Sequence, residues 1–201
     1  MKNMVREPQQ ERSIEKKNRI IEAGYQLFSE VGYYGTNTAE IAKRAGVSTG
    51  IVYGYFQDKR DILICVLELY INKVFTPFLK LFDKMSLPID FDALFPKLID
   101  QVIKTHKTNR KMHEVLHSLA GSDEAVNAQF IALEDKLTLE IAEKLASLGV
   151  DIENAVEKIH ISMDIIQSFS HEYVFDKHDY IDYFVMKEMV IKILKGLFIT
   201  C

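Results

Sequence analysis

The chain has 201 residues, of which 48% are hydrophobic and 27% charged, with a formal net charge of −4. This composition is ordinary for a globular protein, and four prolines and nine glycines leave little room for a turn-dense β fold. Two cysteines, Cys65 and Cys201, exclude a disulfide framework. The first residues lack the apolar segment of a signal peptide, and no run of 18 apolar residues occurs. We therefore expect a cytoplasmic protein without a membrane partner.

Charge is distributed unevenly along the chain. Residues 1–60 contain ten basic and seven acidic side chains, whereas the remainder contains 15 basic and 22 acidic ones. The overall negative charge argues against nucleic-acid binding, but a mildly basic head on an acidic body suits a protein that places one end on DNA.

The N-terminal segment predicts an arm followed by one long helix. Residues 1–12 are polar, and we expect a disordered arm that is either solvated or lies along DNA. Ser13 is placed to cap a helix that Gly32 ends. Apolar residues recur at helical spacing in this helix, which predicts a buried brace: Ile14, Ile20, Ile21, Ala23, Leu27, Phe28 and Val31.

Residues 36–63 predict three short linked helices. Asn37 and Glu40 have the spacing of a capping box, in which each side chain bonds the other residue's backbone N–H. The helix that they begin runs to about Ala45. Gly46 ends it, since glycine adopts a left-handed backbone at little cost.

The next two helices follow at once. Ser48 is placed to cap a second helix over about residues 49–56, and Asp58, with Asp61 three residues on, opens a third. Two short helices joined by a tight turn that contains glycine are the pattern of a helix-turn-helix.

The second helix has side chains suited to DNA. Hydroxyls, phenols and one lysine follow each other as donors for phosphate oxygens, and the helix N-terminus favours an anion: Ser48, Thr49, Tyr53, Tyr55 and Lys59. Gly50 and Gly54 each cost roughly 1 kcal/mol relative to alanine in a helix. Close approach of the backbone to a groove explains that cost.

These residues also form a long specific run: Ala45-Gly46-Val47-Ser48, then Gly50, Tyr53, Tyr55-Phe56 and Lys59. Over about residues 13–63 the chain closely resembles the DNA-binding domain of TetR-like bacterial regulators. It departs at Gly54, where the family often has a larger side chain facing DNA, so we expect specificity to come from neighbouring residues.

The resemblance implies an all-α protein with an N-terminal three-helix helix-turn-helix domain and a larger helical domain for ligand binding and dimerisation. The corresponding boundaries are residues 13–58 and 59–201. Thr36 or Asn37 is expected to add a phosphate contact from the first helix. Candidates for base contacts are Thr38, Thr49, Ile51 and Tyr55, with Ile51 placed against a thymine methyl group.

The rest of the chain predicts further helices, nine or ten in total, and no strand. A helix from Asp58 toward Phe75 is expected to kink or end at Pro77, with a second helical piece within 76–90. The helices that follow, with their caps, are 91–107, Asn109 to Ala120, 123–148 after Ser122, 152–175 after Asp151, and 179–199.

The last two helices predict a dimer. The final helix is apolar nearly all round, and a second copy of the same helix pair would cover it in a twofold four-helix bundle. Burial within one subunit is the alternative. The predicted interface residues are Ile161, Ile165, Tyr183, Phe184, Met186, Val190, Ile191, Leu194 and Phe198. Two heads across a twofold axis suit a palindromic operator.

The body also contains candidate ligand-binding residues. Aromatic, Met and His side chains can line an apolar effector pocket, although ordinary core packing is the more frequent case: Phe75, Phe78, Phe82, Met85, His106, Met112, His113, Leu116, Met163, Asp164 and Gln167. The stripe His160, Asp164, Gln167 and His171 lines a cavity, lies at a dimer seam, or faces water. His113 and His117 have metal-compatible spacing but lack further ligands, so no metal and no cofactor is expected.

No catalytic motif occurs in the sequence, so we do not expect an enzyme. The prediction is a homodimeric transcriptional regulator, a repressor released from its operator by a small, largely apolar ligand. This ligand is expected to shift the helix that begins at Asp58. One alternative is a DNA-binding regulator whose body binds a protein or no effector. A remote alternative is an enzyme or ligand-storage protein with a vestigial head.

Overall fold

A computed structural model describes the backbone of residues 6–83 and 87–198 and the side chains of residues 11–74, 80 and 87–198. Within these ranges the chain forms nine α-helices and no strand, which confirms the predicted all-α class. The helices are α1 Arg6–Val31, α2 Thr38–Ala45, α3 Thr49–Tyr53, α4 Lys59–Asp83, α5 Phe91–Thr108, α6 Arg110–Ala120, α7 Glu124–Ser147, α8 Ala155–Phe175 and α9 Tyr183–Phe198. None of them combines the length and apolarity that a bilayer span requires.

The chain packs as two compact units. Unit 1 contains the residues up to Asn72 together with Lys111–Gln129, and unit 2 contains Lys73–Arg110 and the residues from Phe130 onward. Unit 1 therefore includes the start of α4 and nearly all of α6 in addition to the helix-turn-helix. The predicted functional boundary between residues 58 and 59 remains a prediction.

Unit 1 is built on the apolar face of α1, as its helical spacing predicts. The buried side chains of this unit include Ile20, Leu27, Phe28, Ile41, Val52, Phe56, Ile62, Leu63, Val66 and Leu67. Helices α1 and α4 pack closely at Gly24, where an added Cβ would lie only 2.8 Å from Cγ2 of Ile62. A glycine at this position allows the two helices to approach.

Helix α1 begins earlier than expected. It starts at Arg6, so the prediction that Ser13 caps it was wrong, and residues 6–12 of the expected disordered arm are helical. Residues 1–5 lie outside the described range. The helix extends through Pro8 because the N–H groups of a first helical turn have no partner within the helix, so proline costs little there.

Two further predictions about helix ends were wrong. Helix α4 continues through Pro77 to Asp83, so the expected separate helical piece belongs to α4. Helix α7 is capped by Asp123, whose Oδ1 accepts bonds from the N–H groups of Ala125 and Val126, while the Ser122 hydroxyl donates to the Leu119 carbonyl. Asp123 has the capping role because its Oδ1 reaches both of these N–H groups, whereas the Ser122 side chain faces the end of α6.

The start of α8 also differs from the prediction. The helix begins at Ala155 and not after Asp151, since Asn154 has a left-handed backbone with φ of 55°. Asparagine tolerates this conformation better than most residues. The ends of α5, α6 and α9 lie within a few residues of those predicted.

Unit 2 has its own core, in which α5, α8 and α9 pack against one another. The later part of α7 adds Ile141 and Leu145 to it. Surface ion pairs also join α9 to α5, from Lys187 to Asp100 at 2.6 Å and from Lys195 to Asp92. The core residues are Phe95, Leu98, Ile99, Ile103, Ile141, Leu145, Ile159, Ile166, Phe169, Val190, Ile191 and Leu194.

Candidate nucleic-acid interface and body sites

The predicted capping box at the start of α2 is present. Asn37 Oδ1 accepts a bond from the Glu40 N–H at 2.9 Å, and Glu40 Oε2 accepts one from the Asn37 N–H at 3.2 Å. At the other end Gly46 has φ of 66°, and its N–H donates to the Lys43 carbonyl oxygen. The cap and the left-handed glycine fix where α2 starts and stops, and therefore where the turn delivers α3.

Helix α3 has a buried side and an exposed side. Val52 and Phe56 are buried in unit 1, while Ser48, Thr49, Gly50, Tyr53 and Gly54 are exposed. The helix ends at Tyr53 and a turn follows, so it is shorter than the predicted 49–56. A Cβ at Gly50 would meet only Ser48 Oγ, at 3.9 Å. Packing within the chain therefore does not explain this glycine.

Two hydroxyl pairs hold the predicted contact residues. Thr38 Oγ1 and Tyr53 Oη are 3.0 Å apart on the exposed surface and join the start of α2 to the end of α3. Tyr55 Oη lies 2.9 Å from Ser13 Oγ on α1. The Tyr55 hydroxyl is thus bonded to α1, and this contact could not be predicted from the residues around Tyr55.

Lys59 has a structural environment that the sequence did not predict. Its ammonium donates to the carbonyl oxygens of Tyr33 at 2.7 Å and Thr36 at 2.8 Å, and it lies 4.3 Å from the Tyr33 ring centroid. Partial burial lowers the pKa of Lys59. Two of its three donors therefore hold the loop between α1 and α2, which leaves one for a phosphate.

Thr36 does not have the position expected of a phosphate ligand. Its side chain is 2% exposed, and its hydroxyl donates to the Gly32 carbonyl at 2.9 Å. The expectation for this hydroxyl was wrong because the loop turns it inward. The neighbouring Asn37 is exposed, although its side-chain oxygen serves the capping box.

A paired arginine joins the start of α4 to the turn between α6 and α7 within unit 1. The Arg60 guanidinium donates to both carboxylate oxygens of Asp123, at 2.7 and 2.8 Å. This bond to Arg60 lowers the pKa of Asp123 to about 2. Deeper in the unit, Tyr70 Oη lies 3.2 Å from Nδ1 of His113, which joins α4 to α6.

The described residues of the predicted effector pocket are divided between the two units. Met112, His113 and Leu116 are buried in unit 1, and His106 is buried in unit 2 beside the rings of His171 and Phe175. Asp164 and Gln167, which the sequence assigned to the pocket, are exposed. The side chains of Phe75, Phe78, Phe82 and Met85 lie outside the described residues.

Unit 2 contains a small cavity that includes only one of the predicted pocket residues, Met163. Its volume is about 50 Å³, and eleven side chains from α5, α7, α8 and α9 line it. Ten of these are apolar, and the hydroxyl of the eleventh, Ser162, donates to the Lys158 carbonyl. The lining residues are Phe91, Leu94, Phe95, Leu98, Ile141, Leu145, Ile159, Ser162, Met163, Ile166 and Phe198.

Three phenylalanines of that lining, contributed by α5 and α9, form a ring cluster. The centroids of Phe91 and Phe95 are 5.5 Å apart, and Phe198 lies 5.5 Å from Phe91 and 5.9 Å from Phe95. The cavity therefore offers dispersion contacts, and its surface suits an uncharged group. The sequence placed Phe198 in an interface and did not indicate that it meets Phe91.

Helix α9 also has an apolar side that the unit leaves exposed. Phe184 is 75% exposed, and Val185, Met189 and Ile193 recur every four residues with at least half of their surface exposed. Ile161 of α8 is exposed as well. Val190, Ile191 and Leu194, which the sequence assigned to the interface, lie in the core of unit 2. The remaining predicted residues, Ile165, Tyr183, Met186 and Phe198, are partly buried.

Histidine spacing does not create a metal site in the part of the chain that the structure describes. The rings of His113 and His117 have centroids 4.0 Å apart, but no group of three potential ligands assembles among the described residues. Zinc sites in proteins usually have three or four protein ligands.

These features define a helix-turn-helix protein with a separate helical unit. Residues 20–66 match the family model of bacterial regulatory proteins, tetR family. The HTH-type transcriptional regulator HbdR of Aromatoleum sp. (strain CIB) is 52% identical over 54 residues, which are 27% of this chain and 24% of that protein. Over this helix-turn-helix segment the chain is similar to bacterial transcriptional regulators of the TetR family.

The fold agrees with solved structures over nearly the whole chain. A TetR transcription regulator from Haloarcula marismortui superposes with a TM-score of 0.68 at 18% identity, covering 92% of this chain and 98% of that one. The fatty acid degradation regulator FadR from Bacillus halodurans gives 0.64 at 20% identity, covering 90% and 95%. At these identities the likeness concerns the fold alone. The segments matching the first curated relatives cover about a quarter of their length.

Proposed function

We propose that the protein is a homodimeric repressor that binds a palindromic operator through α3 and is released by a small apolar ligand, in the cytoplasm where its DNA lies. The observation that carries the DNA-binding part is the exposed side of α3. Its hydroxyls and glycines point away from the unit, while Val52 and Phe56 hold the helix in place. Small polar groups on a firmly packed short helix suit the backbone and edges of a DNA groove.

The DNA-binding proposal is tested by placing a negative charge on α3. In Thr49→Glu a carboxylate stands at the first helical position, where it favours the helix electrostatically but repels phosphate. Fluorescence anisotropy with duplexes tiled across the DNA upstream of the coding sequence should give one bound segment for the wild type and none for the variant. Thr108→Glu, on an exposed position of α5, is the matched control and should bind normally. Equal binding by Thr49→Glu would contradict the proposal.

The dimer proposal is supported by the exposed apolar side of α9. Val185, Met189 and Ile193 form a stripe that no other described part of the chain covers. Large apolar stripes of this kind mark interfaces, and a twofold partner would present the same stripe in return. Sedimentation equilibrium at micromolar concentration should give twice the mass of the 23.2 kDa chain.

The effector proposal is supported by the cavity of unit 2. Its lining has no charged side chain, so an apolar ligand fits it better than an ionic one. A volume of about 50 Å³ is smaller than an engineered cavity of about 150 Å³ that holds benzene, so a ligand must also favour a more open form of the unit. The name of the Bacillus halodurans regulator makes fatty acyl chains suitable first probes, in uncharged form because the lining offers no charged partner for a carboxylate.

The effector test uses uncharged methyl esters of n-alkyl acids of increasing chain length. We expect one range of lengths to raise Tm and to release bound duplex in the anisotropy assay. Leu94→Trp should fill part of the cavity and abolish both effects, and Leu148→Trp, outside the lining, should leave them intact. The small cavity also supports a second candidate, a regulator whose body binds a protein or no effector. Duplex that stays bound at every chain length would favour it.

A further inference from the structure

Helix α1 has a row of basic side chains outside the contacts proposed for α2, α3 and Lys59. Arg12, Lys16 and Arg19 are all exposed, and spacings of four and three residues place them on one side of the helix. Glu15, three residues after Arg12 and four before Arg19, borders this row, so the surface has three basic groups and one carboxylate.

Two contacts show which way the basic side of α1 faces. A Cβ added at Gly46, in the turn of the helix-turn-helix, would lie 3.9 Å from Nη1 of Arg19. Glu30 lies three helical turns after Arg19, on the same side, and binds Arg44 at the end of α2 with an N–O distance of 2.6 Å. The side that carries the row is therefore the one beside α2 and the turn.

A third contact places the beginning of the row near Tyr55, which follows the end of α3. Oγ of Ser13, the residue next to Arg12, lies 2.9 Å from Oη of Tyr55. All of these residues belong to unit 1, and α1 is a regular helix throughout this stretch. The row consequently runs alongside the helix-turn-helix on a rigid support.

We propose that Arg12, Lys16 and Arg19 bind successive phosphates of the duplex that α3 contacts, outside the recognition helix. This inference rests on the proposed DNA binding. Seven residues of helix span about 10 Å at about 1.5 Å per residue, which matches about three base-pair steps of about 3.4 Å along one strand. The row adds affinity without sequence preference, because phosphate contacts carry no base information.

The test measures the salt dependence of duplex binding by the full-length protein. In the triple variant Arg12→Gln, Lys16→Gln and Arg19→Gln, the slope of log K against log salt concentration should become shallower by about 2 to 3, since each lost phosphate contact removes about 0.9. Affinity should fall by a similar factor for the operator and for a scrambled duplex. A charge-conserving variant with only Arg12→Lys and Arg19→Lys retains all three positive charges and should keep the wild-type slope.

A matched control removes the same charge from unit 2. Lys97→Gln, Lys104→Gln and Lys192→Gln change three exposed lysines and should leave the slope unchanged. Circular dichroism melting confirms that each variant is folded at the assay temperature. A wild-type slope in the α1 variant, or an equal loss in the control, would overturn the inference alone. Failure of the wild type to bind any upstream duplex would overturn the proposed function, and this inference with it.

Discussion

The exposed sides of α3 and α9 differ in chemistry although both helices pack their other side into a core. Helix α3 exposes hydroxyls and glycines above Val52, whereas α9 exposes Met189 and its neighbours above Leu194. A small polar surface suits a hydrated, charged partner, and a large apolar one suits a partner that excludes water. Each surface is poorly suited to the other's proposed partner.

This difference shows that amphipathic helices are best interpreted from both sides. The buried side of each helix, with Val52 or Leu194, determines how that helix is held. The opposite side is less constrained by packing, and we propose that its composition reflects the partner that it contacts. The predictions below alter one side at a time.

The largest effect is expected from a charge on the apolar side of α9. Met189 is 57% exposed, so Met189→Glu should leave unit 2 folded while it breaks the dimer. Loss of two-headed binding should weaken operator affinity by about 10²- to 10⁴-fold. Sedimentation equilibrium and anisotropy check the two results. Ala146→Glu, at an exposed position of α7, serves as control, and a dimeric Met189→Glu protein would exclude this interface.

A methyl group at the buried glycine of α1 should destabilise unit 1. In Gly24→Ala the added Cβ would stand 2.8 Å from Ile62 Cγ2 and 3.3 Å from Val66 Cγ2, closer than normal contacts. Overpacking of this kind costs about 1–3 kcal/mol of the free energy of unfolding. Urea titration followed by circular dichroism measures it. Unchanged or increased stability would show that α1 and α4 can separate without loss.

The same substitution on the exposed side of α3 should have opposite effects on stability and binding. Gly50→Ala meets nothing within the chain closer than 3.9 Å, so it should raise the free energy of unfolding by roughly 0.5–1 kcal/mol. Operator affinity should nevertheless fall about tenfold, equivalent to about 1.4 kcal/mol, because the methyl group separates backbone and groove. If binding also improves, close approach does not account for this glycine.

The smallest effect concerns the ion pair between Arg60 and Asp123. The pKa of Asp123 is lowered to about 2 from an ordinary value of 3.8, so the ion pair contributes stability above pH 4 and loses it as pH falls toward 2. Asp123→Asn keeps a capping oxygen but removes the charge. The variant should melt a few degrees below the wild type at pH 6, and the difference should vanish toward pH 2. A Tm difference that persists undiminished at pH 2 would show that the substitution weakens the cap of α7 and not only the ion pair.

Much of the helix-turn-helix could be predicted from the sequence because its determinants are local. The capping box of Asn37 and Glu40 and the left-handed Gly46 act within a few residues of each other, so spacing alone predicts them. The cavity could not be predicted in this way. Phe91 and Phe198 lie far apart in the sequence although their rings are in contact, and no local pattern joins them.

The sequence by itself determined the helical class, the extent of α2 and the side chains that α3 presents, since short-range hydrogen bonds and helical periodicity decide these. Only the tertiary structure decided that Thr36 turns inward, that Lys59 holds the loop of Tyr33, and which apolar residues of α9 remain exposed. A helix that is apolar nearly all round does not reveal its buried side until its neighbours are in place, because burial depends on residues far away in the chain.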